Sequence, residues 1–144
     1  MPESVSDEHL ERMRTVIKTV PFAQLLGLEI VAASHGCATL RMEIRSEVTQ
    51  NYGLLHGGAM ASLIDTATAF AIVSQLTSPE RFTTVDLTVN YLRPITSGSA
   101  TCEARVVRAG KSILTLSAKV HDDAGNLAAI AVSTYIRLKT PPAA

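Results

Sequence analysis

The sequence has no tryptophan and only three tyrosines and three phenylalanines, so aromatics make up 4% of its 144 residues. Single-stranded nucleic acids are held largely by stacked aromatic platforms, and this chain has little to build one from. It also lacks an excess of either charge. Thirteen Lys and Arg balance thirteen Asp and Glu, for a formal net charge of zero. Without a global field to gather polyanions, nucleic acid is not expected as a partner. Its two cysteines, Cys37 and Cys102, form neither a C-x-x-C pair nor a ligand-spaced cluster, and both read as small apolar strand residues. No set of His, Cys, Asp and Glu has metal spacing, so no metal is expected. The N-terminal stretch MPESVSDEHLERMRTVIKTV has no apolar run of the signal-peptide kind, which makes the cytoplasm the expected compartment. The longest apolar stretch, residues 59–76, is interrupted by Ser62, Asp65, Thr66, Thr68, Ser74 and Gln75. A carboxylate near its centre would cost about 2.5–3.5 kcal/mol in a bilayer, so the stretch reads as a buried helix and no membrane partner is expected.

What is present is a chain that is 47% hydrophobic and only 18% charged, against a usual charged share of about a quarter. Its length suits one domain, which can bury about 68–70% of the surface exposed by the unfolded chain. The surplus of apolar side chains suggests further burial against other copies of the same chain.

Residues 7–20 predict an amphipathic helix with Leu10, Met13, Val16 and Ile17 on one face, ended by Pro21 and followed by one more turn over 22–26. Two strands follow, over 28–33 and 37–45. The second alternates cleanly, with Ala38, Leu40, Met42 and Ile44 on one face and Thr39, Arg41, Glu43 and Arg45 on the other. A loop over 46–55 leads into His56-Gly57-Gly58 and the long apolar helix, which Pro79 closes. Four further strands are predicted over 83–92, 100–108, 112–121 and 127–138. Their short links contain Gly98, Gly110 and Gly125, which suggests antiparallel neighbours. The tail from Lys139, with Pro141 and Pro142, is expected to fray. A helix apolar nearly all round must be surrounded, so the expected fold is α+β: a six-stranded antiparallel sheet wrapped around one long central helix.

Between Glu47 and Glu80 the only formally charged side chain is Asp65, set in the middle of that helix. A buried lone carboxylate is costly unless it is hydrogen-bonded, paired or protonated, and such residues cluster at functional sites. The alternative is a structural carboxylate that accepts local hydrogen bonds. His56-Gly57-Gly58 falls where the helix begins. The first helical N–H groups have no internal partner, and two glycines remove the Cβ atoms that would bar a ligand from them. That arrangement can hold an oxyanion or a polarised carbonyl, with His56 as an orienting group. Gly57 and Asp65 are eight residues apart, about 12 Å along a helix. One carbonyl cannot reach both within about 3 Å. If both act on one substrate, the carboxylate comes from another copy, and a two-fold dimer supplies two such sites.

Three segments carry a resemblance: residues 50–58 (QNYGLLHGG), residues 61–65 (ASLID) and residues 84–94 (TVDLTVNYLRP). Together they resemble the hotdog-fold acyl-CoA thioesterases, in the branch that includes the phenylacetic-acid-pathway and 4-hydroxybenzoyl-CoA (Arthrobacter-type) enzymes. The resemblance runs over roughly residues 22–138 and implies hydrolysis of an acyl-CoA thioester without a cofactor. It implies that the Gly57 N–H polarises the thioester carbonyl, and that Asp65 of the opposing subunit activates water or attacks the carbonyl itself. Gln50 then orients water or substrate, with the adjoining Asn51 as the alternative polar partner, and His56 braces the loop. Thr84 matches a Ser/Thr position near the attacking water, and Gly58 adjoins the carbonyl site. Part of the branch carries Glu where this chain has Asp65. Coenzyme A needs cations for its phosphates, for which Arg93, Arg108 and Lys111 are the candidates. A homodimer, assembled as a dimer of dimers, is the implied state. Two other readings remain open: a non-catalytic acyl-CoA-binding module and a hotdog hydratase or dehydratase.

Overall fold

Ser6 opens the first helix: its hydroxyl accepts the His9 N–H at 3.1 Å, and Asp7 and Glu8 follow in the first turn, where the helix dipole favours negative charge. This helix, α1 (Asp7–Ile17), buries Met13 and Ile17. Pro21 starts α2 (Pro21–Leu26) at a position whose N–H would have no helical partner. Gly27 ends it at φ 69, the left-handed conformation that a side chain disfavours. The computed structural model describes residues 2–139. The expected fraying of the tail concerns residues that lie, from 140 on, outside the described residues.

The remaining elements are β1 (Glu29–Ser34), β2 (Cys37–Glu43), a 3-10 turn over Ser46–Val48, α3 (Gly57–Val73), β3 (Arg81–Tyr91), β4 (Ser99–Ala109), β5 (Ile113–His121) and β6 (Leu127–Leu138). The six strands form one antiparallel sheet in the order β1-β2-β4-β5-β6-β3. α3 packs across it, chiefly over β2 and β4. The expected α+β architecture is therefore the observed one. The alternation read in β2 holds as well: Ala38, Leu40 and Met42 are buried, while Arg41 and Glu43 face outward.

Two expectations are corrected. The link over residues 92–98 reads as a turn between antiparallel neighbours, yet β3 pairs with β6 at the sheet edge and β4 lies between β2 and β5. The link is a crossover. Leu92 and Arg93 donate their N–H groups to the Ala128 carbonyl, Ile95 is buried, and the carbonyls of Ile95 and Gly98 accept from Leu55 and Ile44. These long-range bonds, not the local turn residues, carry the chain to the far side of the sheet.

The second correction concerns α3, which is not surrounded within one chain. Met60, Leu63, Ile64, Ala67, Thr68, Phe70 and Ala71 are buried, but Ala61, Ser62, Asp65, Thr66 and Ala69 are only half-buried. The small polar residues on this open face bond back to their own helix. Ser62 donates to the Gly58 carbonyl and Thr66 to the Ser62 carbonyl, each at 2.8 Å. β3 leaves a second surface open: an eleven-residue strand with one bare edge.

Candidate active site

The start of α3 is built by a short loop. Thr49 and Leu55 bridge in antiparallel fashion, and the His56 N–H donates to the Val48 carbonyl at 2.8 Å, which holds His56 extended as the helix N-cap. Its Nδ1 accepts the Gly58 N–H at 2.8 Å, so the neutral ring carries its proton on Nε2. A Cβ on Gly58 would lie 3.0 Å from that Nδ1, which is why the imidazole folds back so closely only over glycine. The bond also removes Gly58 as a donor to ligand. It leaves the Gly57 N–H, which meets no acceptor among the described residues and sits at the positive end of the helix dipole. Tyr91 of β3 donates its hydroxyl to the Gly57 carbonyl at 2.7 Å. Its ring comes within 3.4 Å of where a Cβ on Gly57 would stand.

Gln50 lies in the loop before His56, where its Oε1 accepts the Tyr52 N–H and closes the turn on itself. Its Nε2 donors have no partner among the described residues. Asn51 beside it is exposed and has no side-chain partner among the described residues.

Asp65 stands two turns further along α3. It is half-buried rather than buried, and it is not alone. Its Oδ1 accepts from Thr84 at 2.8 Å and from the Tyr135 hydroxyl at 3.1 Å, while Oδ2 has no partner among the described residues. Asp65 borders a depression of about 260 Å³ lined also by Phe22, Ala61, Ser62, Thr66, Thr84 and Leu87. Thr84 is aimed by a β-bulge. The β3–β6 register slips between Thr84 and Asp86, making Val85 the extra residue. The Asp86 carbonyl accepts instead from the buried Ser133 hydroxyl at 3.0 Å.

Tyr135 is the site residue that sequence reasoning missed. On β6 it follows Ala131 and Ser133 on the buried face. A tyrosine in such a row needs a partner for its hydroxyl, and that need was the available signal. The phenol lies 2.7 Å from the Asp65 backbone carbonyl and 2.9 Å from the Thr68 hydroxyl. Burial pushes its pKa up to about 12, despite the opposing hydrogen bonds from Thr68 and Thr84. Burial likewise pushes the Cys102 thiol to about 12. Unfolding returns these groups to their ordinary values of 10.0 and 9.0. Their contribution to stability is thus complete below about pH 9 and is lost as pH rises toward 12. The midpoint of denaturant unfolding is expected to fall steadily over that range; a flat profile would contradict the protonated, buried state of both groups.

The three expected cations do not come together. One row of the sheet runs Thr84–Tyr135–Leu114–Ala109, and another runs Tyr91–Ala129–Val120–Cys102. Arg108 and Lys111 stand at the first end, the Asp65 end. Arg93 stands at the second, the Gly57 end, where it and the Asn126 hydrogen bonds hold the Asp122 carboxyl below its usual range, the hydrogen bonds being the larger cause. All three are exposed. Among the described residues, no three His, Cys, Asp or Glu side chains gather as a metal site would require.

The thioesterase superfamily model matches residues 52–129, which span His56, Gly57, Asp65 and Thr84. The chain belongs to the thioesterase superfamily. It is 30% identical over 132 residues to the medium/long-chain acyl-CoA thioesterase YigI of Salmonella typhimurium, covering 81% of this chain and 85% of YigI. Among solved structures, a conserved protein of Pseudomonas aeruginosa is 30% identical, with a TM-score of 0.78 over 82% of this chain and 94% of that one. The PaaI protein of the Escherichia coli phenylacetic acid degradation operon superposes with a TM-score of 0.84 over 94% of this chain and 97% of its own, at 24% identity. That last likeness establishes the hotdog fold. This thioesterase is a thioester hydrolase whose half-buried carboxylate and unpaired helix-start N–H lie on one helix. No helix among the described residues is long and apolar enough to cross a membrane.

Proposed function

We propose that this thioesterase hydrolyses an acyl-CoA thioester in a site shared by two copies of the chain. The observation that carries the reading is the pair of unused groups on α3: the free Gly57 N–H and the free Oδ2 of Asp65, about two turns apart on one helix. Neither can serve the same carbonyl as the other within one chain. The bare edge of β3 and the half-buried, small-residue face of α3 favour a second copy alongside, since long exposed edges are rarely left unpaired. A two-fold arrangement brings each Gly57 toward the opposing Asp65, twice per dimer.

In that site the thioester carbonyl oxygen accepts from Gly57 N–H as negative charge develops on it. Asp65 acts in one of two ways. As a general base it takes a proton on Oδ2 from a water that attacks the carbonyl carbon. As a nucleophile it forms a mixed anhydride, which water then opens. Either route breaks the carbon–sulfur bond and releases CoA as its thiol. Single-turnover hydrolysis in oxygen-18 water separates the routes, because only the anhydride route can leave the label on Asp65 and not on the released acid. His56 braces the helix start, and Gln50 or Asn51 offers a side-chain amide to water or substrate from the preceding loop. Arg108 and Lys111 offer cations for the CoA phosphates, and Arg93 offers one from the opposite end of the sheet. The acyl group is expected beside Phe22 and Leu87, in the depression next to Asp65. The name of YigI favours a medium- or long-chain acyl group, whereas the operon of PaaI favours an aryl acid.

The test is release of free thiol from a panel of aryl, short-chain and long-chain acyl-CoAs. A binding module would gain thermal stability with the same ligands and release none. The double variant Arg108→Ala, Lys111→Ala is expected to raise KM for the preferred acyl-CoA at least several-fold with little change in kcat, through loss of phosphate contacts. The matching acyl-pantetheine thioester, which lacks the nucleotide, should show no such rise. An equal rise with both substrates would contradict the phosphate role.

A further inference from the structure

The mechanism leaves Tyr135 without a task. Its side chain is 2% exposed and cannot reach a substrate, yet its hydroxyl points at the reacting carboxylate. We propose that Tyr135 is a positioning residue: anchored by Thr68, its hydroxyl holds Oδ1 of Asp65 and so presents Oδ2 as the oxygen that reacts. The proposal rests on the assignment of Asp65 as the reacting carboxylate.

The terminal torsion of an aspartate is broad, so one hydrogen bond leaves the carboxylate plane free to swing about the Cβ–Cγ bond. Here two donors from two different strands meet the same oxygen, Thr84 from β3 and Tyr135 from β6. The Tyr135 proton is shared between Oδ1 and the Asp65 backbone carbonyl, which ties the side chain to its own helix turn. Thr68 fixes the phenol from the other side. It is fully buried, and its hydroxyl lies 2.9 Å from the Tyr135 oxygen; because the phenol's proton goes to Asp65, Thr68 is the donor of this pair, in place of the Ile64 and Asp65 carbonyls also within its reach. The ring itself is held edge-on against Phe82, with centroids 5.7 Å apart and planes at 70°. A phenol that keeps its proton to about pH 12 is a constant donor. The arrangement serves both routes. If Oδ2 takes a proton from water, Oδ1 becomes the carbonyl oxygen and still accepts. If Oδ2 bonds to the acyl carbon, Oδ1 becomes the anhydride carbonyl, and the two donors polarise it for attack by water.

The experiment compares Tyr135→Phe with Phe82→Leu and Asp65→Asn in steady-state hydrolysis and thermal melting. Tyr135→Phe keeps the ring against Phe82. It is expected to melt within a few degrees of the parent and to lose about ten- to a hundredfold in kcat, as misplacing a reacting group does, with KM within about twofold. Phe82→Leu loosens the ring that holds the phenol and keeps the hydroxyl, so it should lower the melting point and cost less kcat than Tyr135→Phe. A parental kcat in Tyr135→Phe overturns the proposal. So does a rise in KM matching the fall in kcat, or a larger kcat loss in Phe82→Leu than in Tyr135→Phe. Should Tyr135→Phe fail to fold, Thr68→Val, which removes the anchor and leaves the phenol, must show the same selective loss of kcat; a parental kcat there overturns it too. Retained turnover in Asp65→Asn sinks the site assignment itself. An inactive Asp65→Asn beside a fully active Tyr135→Phe sinks only the positioning role.

Discussion

Replacing Asp65 by asparagine is expected to lower turnover by about two to four orders of magnitude, the usual contribution of a positioned base, while binding and folding persist. Asparagine keeps the shape of the side chain and can still accept from Thr84 and Tyr135 through its carbonyl oxygen, the two donors that meet Oδ1 in the parent. Its amide can neither take a proton from water nor form an anhydride. The half-buried setting makes the substitution mild for stability, because no buried donor loses its acceptor. The readouts are kcat for the preferred acyl-CoA, ligand-induced thermal stabilisation and the melting point without ligand. Hydrolysis near the parental rate would remove Asp65 from the chemistry.

The second large effect follows from the division of the site between copies. Gly57→Val spoils the other half. Its side chain would meet the Tyr91 ring, which already lies 3.4 Å from the Cβ position, and it would cover the N–H that a carbonyl must reach. Each variant alone should be nearly inactive. Mixed under conditions of proven subunit exchange, they form hybrid dimers in which one site has both good halves and the other has neither. With random pairing, half of the dimers are hybrids with one working site of two, so activity should recover to about a quarter of the parental value. No recovery despite exchange would place both groups in one chain's site, which their separation along α3 opposes.

Where local periodicity or chain chemistry decides the outcome, the sequence was readable. The alternation of β2, the helix start at His56-Gly57-Gly58 and the lone acid of α3 follow from residue types at fixed spacings. Thr84 is pointed to by the family resemblance alone, since no residue spacing links it to Asp65. The misreadings come from partnerships that residue types alone do not reveal, some across the fold and some within one helix turn. Residues 92–98 carry turn chemistry, but their backbone bonds to Ala128, Leu55 and Ile44 make them a crossover. The open face of α3 carries small residues and two hydroxyls, Ser62 and Thr66, that bond back to their own helix, so its residue types suit burial and exposure equally. Gly58 looked like a second donor until the folded-back imidazole of His56 claimed its N–H. Arg93, Arg108 and Lys111 look alike as strand-end cations, but β3 and β4 run in opposite directions, which puts Arg93 at one end of the sheet and Arg108 and Lys111 at the other. Tyr135 passes for a core aromatic because its partners, Thr68 and Asp65, sit about 70 residues away in the chain. Of the six aromatics, Phe70 is core and Phe82 packs on Tyr135, whereas Phe22 borders the depression beside the carboxylate.

The most direct measurement is a crystal structure of the assembled protein with an acyl-CoA analogue in which a methylene replaces the thioester sulfur. The account predicts the ketone oxygen within hydrogen-bonding distance of the Gly57 N–H of one subunit. It also predicts Oδ2 of Asp65 from the other subunit facing the carbonyl carbon, directly or through one water. A ketone held entirely by one subunit, or an Asp65 carboxylate turned away from it with Oδ2 in bulk solvent, would contradict the shared site.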